Sequence, residues 1–257
     1  MPALTDSPNP FVKALVIGDS GAGKTGALGS LIQAGYRVSI LDYDNKVQSG
    51  FLPQFLKKNC PDHLGLVDFE VVRDKFKTGP LGTPVLDGMP TAFKTGLALC
   101  DKWSDGTLPR KWGPDRVLVV DSLTFMSDSA YNQAQAMSPA TKDPRQWFYT
   151  AQQWVENFIA MLTAKDFETH VLILAHISYQ KNADGTEKGW PASVGKALGP
   201  TIPAYFDNMS LCQSMAAGKR SIKTIATPIL DLKNPAGIAK TLPIESGMAE
   251  IFRELRT

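Results

Sequence analysis

The stretch Gly18-Asp19-Ser20-Gly21-Ala22-Gly23-Lys24-Thr25 constrains this chain more than any other. It reads G-x-x-x-x-G-K-T, follows the apolar run Ala14-Leu15-Val16-Ile17 and precedes a segment of helical character. A strand, a glycine-rich turn and a helix in that order form a phosphate-binding loop, or P-loop. Gly18, Gly21 and Gly23 let the backbone bend tightly, so that its N–H groups turn inward toward a polyphosphate. The helix opening near Lys24 offers its positive dipole end to the same anion. Lys24 is expected to reach the β- and γ-phosphates of a nucleoside triphosphate, and the Thr25 hydroxyl to ligate Mg²⁺. The expected nucleotide-binding set is Gly18, Asp19, Ser20, Gly21, Ala22, Gly23, Lys24, Thr25 and Gly26. A glycine-rich turn matching by chance is the alternative, and the strand-loop-helix context argues against it.

A chain of 257 residues suits one large α/β domain, or one domain with appendages. Its net charge of +2 makes no case for a wholesale nucleic-acid binder, so any DNA contact must come from local basic loops. Cys60, Cys100 and Cys212 are too widely spaced for a disulfide framework or a metal-ligand pattern, which points to a reducing cytosol. No signal peptide is evident, and no apolar run is long enough to span a bilayer.

In chain order, 1–10 read as a loose leader and 11–17 as a buried strand. The P-loop helix covers 24–34, with Gly35 as its stop. The strand 37–41 ends in Asp42-Tyr43-Asp44-Asn45. Ligands of open parallel sheets sit outside the carboxyl ends of the strands. Asp44 is therefore a candidate to orient and deprotonate an attacking water, with Asp42 in support. Alternatively, both acids only shape the turn. A small helix and a loop are expected over 51–65, a strand over 66–72, a loop over 74–90 and a helix over 91–103, with Phe93, Leu97 and Cys100 on one face. Another loop spans 104–115, flanked by Trp103 and Trp112, which read as packing residues.

The run Arg116-Val117-Leu118-Val119-Val120-Asp121 is a Walker-B-type strand. Such a strand delivers one carboxylate to a Mg²⁺ shell, so Asp121 joins Thr25 as a metal-side residue. Helices follow over 122–138 and 144–164. In the second, Phe148, Ala151, Val155, Phe158 and Leu162 recur at helical spacing, with Trp147, Trp154 and Met161 beside them, and read as core. The strand 170–176 ends in His176, which would face the same edge as Asp44 and Asp121 and sense the γ-phosphate. A hydrogen-bonded histidine at a strand end is the plainer alternative. A long polar loop over 178–200 carries Lys181, Lys188 and Lys196 with Trp190 among them, a composition able to hold single-stranded nucleic acid or simply to be solvated. Strands are expected over 207–213, 220–226 and 228–232, the first two joined at Gly218-Lys219 as an antiparallel hairpin, and a short helix over 248–255.

These pieces resemble the RecA-like P-loop ATPases, specifically the compact ATPases of tailed bacteriophages associated with single-strand annealing and recombination. The resemblance rests on GDSGAGKT at 18–25, ILDYD at 40–44, VLVVDSLT at 117–124 and LILAH at 172–176. It continues more loosely through 194–209, 229–235 and 247–252, so it covers nearly the whole chain after residue 10. It implies a single RecA-like domain over 11–257: a mostly parallel central sheet flanked by helices, with a C-terminal antiparallel extension. It also implies ATP hydrolysis with Mg²⁺. By position, Asp44 falls where such proteins place a catalytic glutamate, one methylene longer. His176 falls where recombinases carry a glutamine that links the γ-phosphate to a DNA-binding loop, here 178–200. Lys233 lies near where relatives supply a basic residue to the neighbouring subunit's ATP, with Lys219, Arg220 and Lys223 as competitors.

The expectation is thus a Mg²⁺-dependent ATPase of the host cytoplasm, free of membranes and assembled into a ring or filament. It would act on single-stranded DNA in phage recombination or replication, alongside a phage single-strand-binding or annealing protein. Lys24, Asp44, Asp121 and His176 carry the chemistry. A non-hydrolysing nucleotide switch or scaffold for a phage replication protein is one rival. A P-loop small-molecule kinase is the other, and it lacks an evident arginine-rich lid.

Overall fold

A computed structural model describes residues 10–140, 143–181, 184–215 and 218–256. The expected leader thus lies, but for its last residue, outside the described residues. In chain order the elements are β1 (Lys13–Ile17), α1 (Lys24–Gln33), β2 (Arg37–Asp42), α2 (Phe51–Asn59), β3 (Val67–Val71), β4 (Phe76–Thr78), β5 (Pro84–Leu86), α3 (Ala92–Asp101), β6 (Gly113–Asp121), α4 (Leu123–Met137), α5 (Pro144–Thr163), β7 (Thr169–Ala175), β8 (Ile177–Lys181), β9 (Glu187–Pro191), β10 (Asn208–Ser214), β11 (Arg220–Lys223), β12 (Thr241–Pro243) and α6 (Gly247–Leu255).

One sheet organises them, in the order β12-β11-β10-β1-β7-β6-β2-β3. The six strands from β10 to β3 run parallel, and β11 and β12 extend the sheet antiparallel at its C-terminal edge. Both faces are covered, which is why the central strands are continuous apolar runs rather than alternating ones. Along β1, Leu15 and Ile17 join a core with α3, α4 and α5, while Ala14 and Val16 join a second core with α1, α2 and α6. The expected RecA-like α/β class is the observed one. In particular β7 lies between β1 and β6, so its carboxyl end opens between the P-loop and Asp121.

Within β1 one residue breaks the apolar pattern. Lys13 is buried, and its ammonium donates to the carbonyls of Leu162 (3.0 Å), Phe167 (2.7 Å) and Thr169 (2.8 Å). Three carbonyl dipoles replace water around the charge and fasten the end of α5 to the start of β7. Burial nevertheless pulls the ammonium down to about 7, against the Asp207 and Asp166 carboxylates that raise it.

Several expectations need correction. The region 74–90 holds the antiparallel ribbon β4–β5 rather than a plain loop. The 178–200 segment is not a long loop either: β8 and β9 pair from Ile177↔Pro191 to Lys181↔Glu187. The strand expected over 228–232 is a turn closed by the Thr227↔Leu230 bridge, and that expected over 220–226 ends at Lys223. β12, only three residues long, was not foreseen. Phe148 sits at the edge of the α5 stripe, 39% exposed, against the Tyr131 ring at 4.6 Å. Trp103 and Trp112 do pack, edge to face at 5.5 Å, and the Arg116 guanidinium lies 3.6 Å from the Trp112 ring.

Candidate functional site

The P-loop leaves β1 and enters α1 through Gly23, whose φ of 97° is a left-handed conformation that glycine adopts without strain. Gly18 is needed for a different reason. A Cβ there would lie 2.5 Å from the Cys212 carbonyl oxygen, because the loop passes directly over β10. The Lys24 ammonium donates to the carbonyls of Gly18 (2.8 Å) and Asp19 (3.1 Å) and so lies across the loop. Burial lowers its affinity for a proton, while Asp121, Cys212, Asp44 and Asp19 oppose that shift.

The parallel register then sets the acids. Asp42 is level with Asp121 on the neighbouring strand β6, and Tyr43 N and Asp44 N donate to the Asp121 carbonyl at 2.7 and 3.2 Å. These bonds carry Asp44 over the end of β6. Its Oδ1 accepts from Ser122 Oγ at 2.7 Å. The Asp42 carboxylate turns away, accepting from Lys46 N at 3.2 Å and Val47 N at 3.0 Å. Its support is therefore that of a turn cap. Asp121 Oδ2 accepts from Thr25 Oγ1 at 2.6 Å. Burial, with Asp44 beside it, pushes the Asp121 carboxyl up to about 7, although the Thr25 hydrogen bond lowers it.

His176 follows β7 into the same space. Its backbone N–H donates to Thr124 Oγ1 at 3.1 Å, the Thr124 hydroxyl donates to the Ala192 carbonyl at 3.1 Å, and Ala192 N returns a bond to the His176 carbonyl at 2.8 Å. The imidazole rests edge-on to Phe125 at 5.9 Å. Burial and then the Lys24 charge lower its pKa, so the ring is neutral near pH 7.

Asp19, Lys24, Thr25, Asp44, Asp121 and His176 thus line one cleft of about 680 Å³, to which Lys46, Phe51 and Arg220 also contribute. Among the described residues no cluster of three or more His, Cys, Asp and Glu side chains could by itself hold a metal. The Thr25 hydroxyl and the buried, elevated Asp121 carboxyl supply two hard oxygens side by side. A cation there would relieve the burial cost of the carboxylate.

The expected DNA residues are less uniform. Lys181 and Lys196 are exposed. Lys188 is ion-paired with Asp231 and lies 5.1 Å from the half-buried Trp190 ring, so these two are partly engaged within the chain. Lys233 is engaged too: its ammonium donates to the carbonyls of Phe206 (2.6 Å) and Pro203 (3.1 Å). That geometry is an anchor within the chain and gives no support to a role across a subunit boundary. Sequence reasoning missed Ser122 and Thr124 as side-chain partners of the site, although both stand in the DSLT stretch that closes the Walker-B motif. It also missed Phe51 in the cleft wall, which carries no local signal.

No helix of the described residues is long and apolar enough to cross a membrane. No curated protein matches the sequence. Among solved structures, the RadB recombinase aligns at 15% identity over 85% of this chain and 81% of its own, with a TM-score of 0.48. An ATPase from the type III secretion system of pathogenic bacteria aligns at 12% identity over 78% of this chain and 52% of its own, with a TM-score of 0.45. A family model described as an AAA domain matches residues 11–236. With that span, and with a P-loop strand and an acid-tipped strand set either side of β7, the chain belongs to the AAA-domain family and is a P-loop ATPase domain of RecA-like fold.

Proposed function

We propose that this chain is a Mg²⁺-dependent ATPase whose nucleotide state governs a grip on single-stranded DNA, working as a ring or filament in the recombination or replication of a tailed bacteriophage. The observation that carries the reading is the convergence of β2, β6 and β7 on the P-loop. Their ends bring Asp44, Asp121 and His176 into one cleft with Lys24 and Thr25.

Phosphoryl transfer asks a protein mainly for positioning and charge. Lys24 holds the β- and γ-phosphates. Thr25 and Asp121 would hold Mg²⁺, which when bound would supply positive charge against the phosphate oxygens. Asp44 accepts the proton of the attacking water, with Ser122 fixing its carboxylate at 2.7 Å. His176 reports the γ-phosphate to the β8–β9 hairpin, whose two ends it joins through Thr124 and Ala192. Lys181 and Lys196 give that hairpin region its exposed positive charge for a DNA backbone. A nucleotide switch without turnover is a second reading, favoured by the short Asp44 side chain, whose reach toward a water is one methylene less than that of glutamate.

The reading is tested by the anisotropy of a labelled single-stranded oligonucleotide titrated with protein in MgATP, in MgADP and without nucleotide. Binding that differs between the ATP and ADP states is expected. Equal affinity in all three states would contradict the coupling, and no binding in any would remove DNA as the ligand.

A further inference from the structure

Arg220, the first residue of β11, is far from the P-loop in sequence but lies on it in the fold. Its Nε donates to the Gly21 carbonyl at 3.1 Å, the only hydrogen bond from this side chain among the described residues. Its stem covers Gly23 so closely that a Cβ there would lie 2.6 Å from the Arg220 Cδ. Its guanidinium lies 5.8 Å from the Phe51 ring centroid.

Two clefts meet at this side chain. The first is the phosphate cleft described above. The second, of about 640 Å³, shares Gly23, Gly26, Phe51 and Arg220 with it and continues along Leu242, Pro243 and Ile244. The first cleft carries the charges of Lys24 and Lys46 against those of Asp19, Asp44 and Asp121, so without Arg220 its walls are short of positive charge for a polyanion. The second is walled largely by apolar groups. A nucleotide lying across both would cross the boundary at its innermost phosphates and sugar, where a guanidinium offers five N–H donors in a fixed fork.

Resting on the nucleotide-binding reading, we infer that Arg220 is a nucleotide contact supplied from within the same chain. It grips the phosphates nearest the sugar and closes the junction between the two clefts. This assigns to the chain's own site a cation that the sequence offered as a candidate for a neighbouring subunit's ATP. A single chain then holds the nucleotide without a partner's cation.

The test is a fluorescence titration of ATP and ADP against the full chain, wild type and R220M, with thermal melts of both proteins without nucleotide. Methionine keeps the stem over Gly23 and removes the charge. Loss of a charge-assisted hydrogen bond should weaken ATP and ADP alike by at least about tenfold, with the melt unchanged, and R220K should recover part of the affinity. Should R220M melt early, R220Q takes its place in the same titration. Wild-type affinity should also be constant across protein concentrations. Binding by R220M and R220Q within about twofold of wild type, or a wild-type affinity that strengthens with protein concentration, would overturn the inference. A wild-type chain that binds neither nucleotide would overturn the functional reading beneath it instead.

Discussion

His170 lies at the start of β7 and His176 immediately after its end, so one buried strand carries a histidine toward each edge of the sheet. Burial lowers the pKa of both. Their partners differ. The His170 Nδ1 accepts from Val12 N at 2.9 Å, its Nε2 lies 2.9 Å from the Pro114 carbonyl, and Tyr36, Phe11 and Phe252 surround the ring. Every polar atom of that imidazole meets backbone. His176 is fixed by its backbone instead, and its ring lines the cleft with Lys24, Asp44 and Asp121. The amino edge of the sheet thus consumes its polar groups in folding, Lys13 and His170 alike, while the carboxyl edge gathers Lys24, Asp44, Asp121 and His176 around one cleft. Residue type alone does not separate a structural group from a functional one; the partners do.

That contrast can be broken at either edge. The largest effect is expected from Lys24→Ala, which should abolish turnover while leaving the thermal melt near wild type. An unchanged hydrolysis rate would remove the P-loop from the mechanism.

At the amino edge, stability should respond and chemistry should not. The neutral His170 ring must carry its proton on Nε2 to donate to Pro114, because Nδ1 accepts from Val12. Its pKa falls from 6.5 to about 4, first because of burial and then because of the Arg256 and Lys13 charges, against the Pro114 hydrogen bond and Asp115, which raise it. Between those values the unfolded chain binds a proton that the folded chain refuses. Stability therefore falls as pH drops from 6.5, by about 3 kcal/mol once pH is below both values. Denaturant midpoints at pH 7, 5 and 4 should show this slope in the wild type and a flatter one in His170→Asn. Equal slopes would mean that His170 is not the titrating group.

Back at the carboxyl edge, Asp44→Asn should keep ATP binding and slow hydrolysis at least about tenfold. Wild-type turnover in that variant would hand the base role elsewhere. The smallest effect is expected in the hairpin region. Neutralising Lys181 and Lys196 together should lower the salt slope of single-strand binding by about 1.4. Neutralising Lys188, already paired with Asp231, should change it less. A larger effect from Lys188 would reverse that ranking.

Much of this was legible in the sequence for a physical reason. A strand buried on both faces is mostly apolar, so β1, β6 and β7 stand out as runs, and Asp121 ending β6 and His176 following β7 mark the site edge. Short strands exposed to water carry no such pattern. The β4–β5 ribbon has Phe76 and Val85 open to solvent and Gly79 and Gly82 in its turn, and reads as loop. The β8–β9 hairpin hides in the same way behind Lys181, Glu187 and Lys188. Lys13 was opaque because three carbonyls from distant residues solvate it. Arg220 stood only among the candidates for a neighbouring subunit's ATP; its contact with Gly21 spans 199 residues and exists only once β11 is laid beside β10.

The most direct measurement is steady-state phosphate release from MgATP with and without single-stranded DNA, at low and moderate salt. The account predicts hydrolysis that DNA stimulates, with the stimulation shrinking as salt rises. A rate indifferent to DNA at both salt concentrations would contradict the link between the cleft around Asp44 and His176 and the hairpin beyond it.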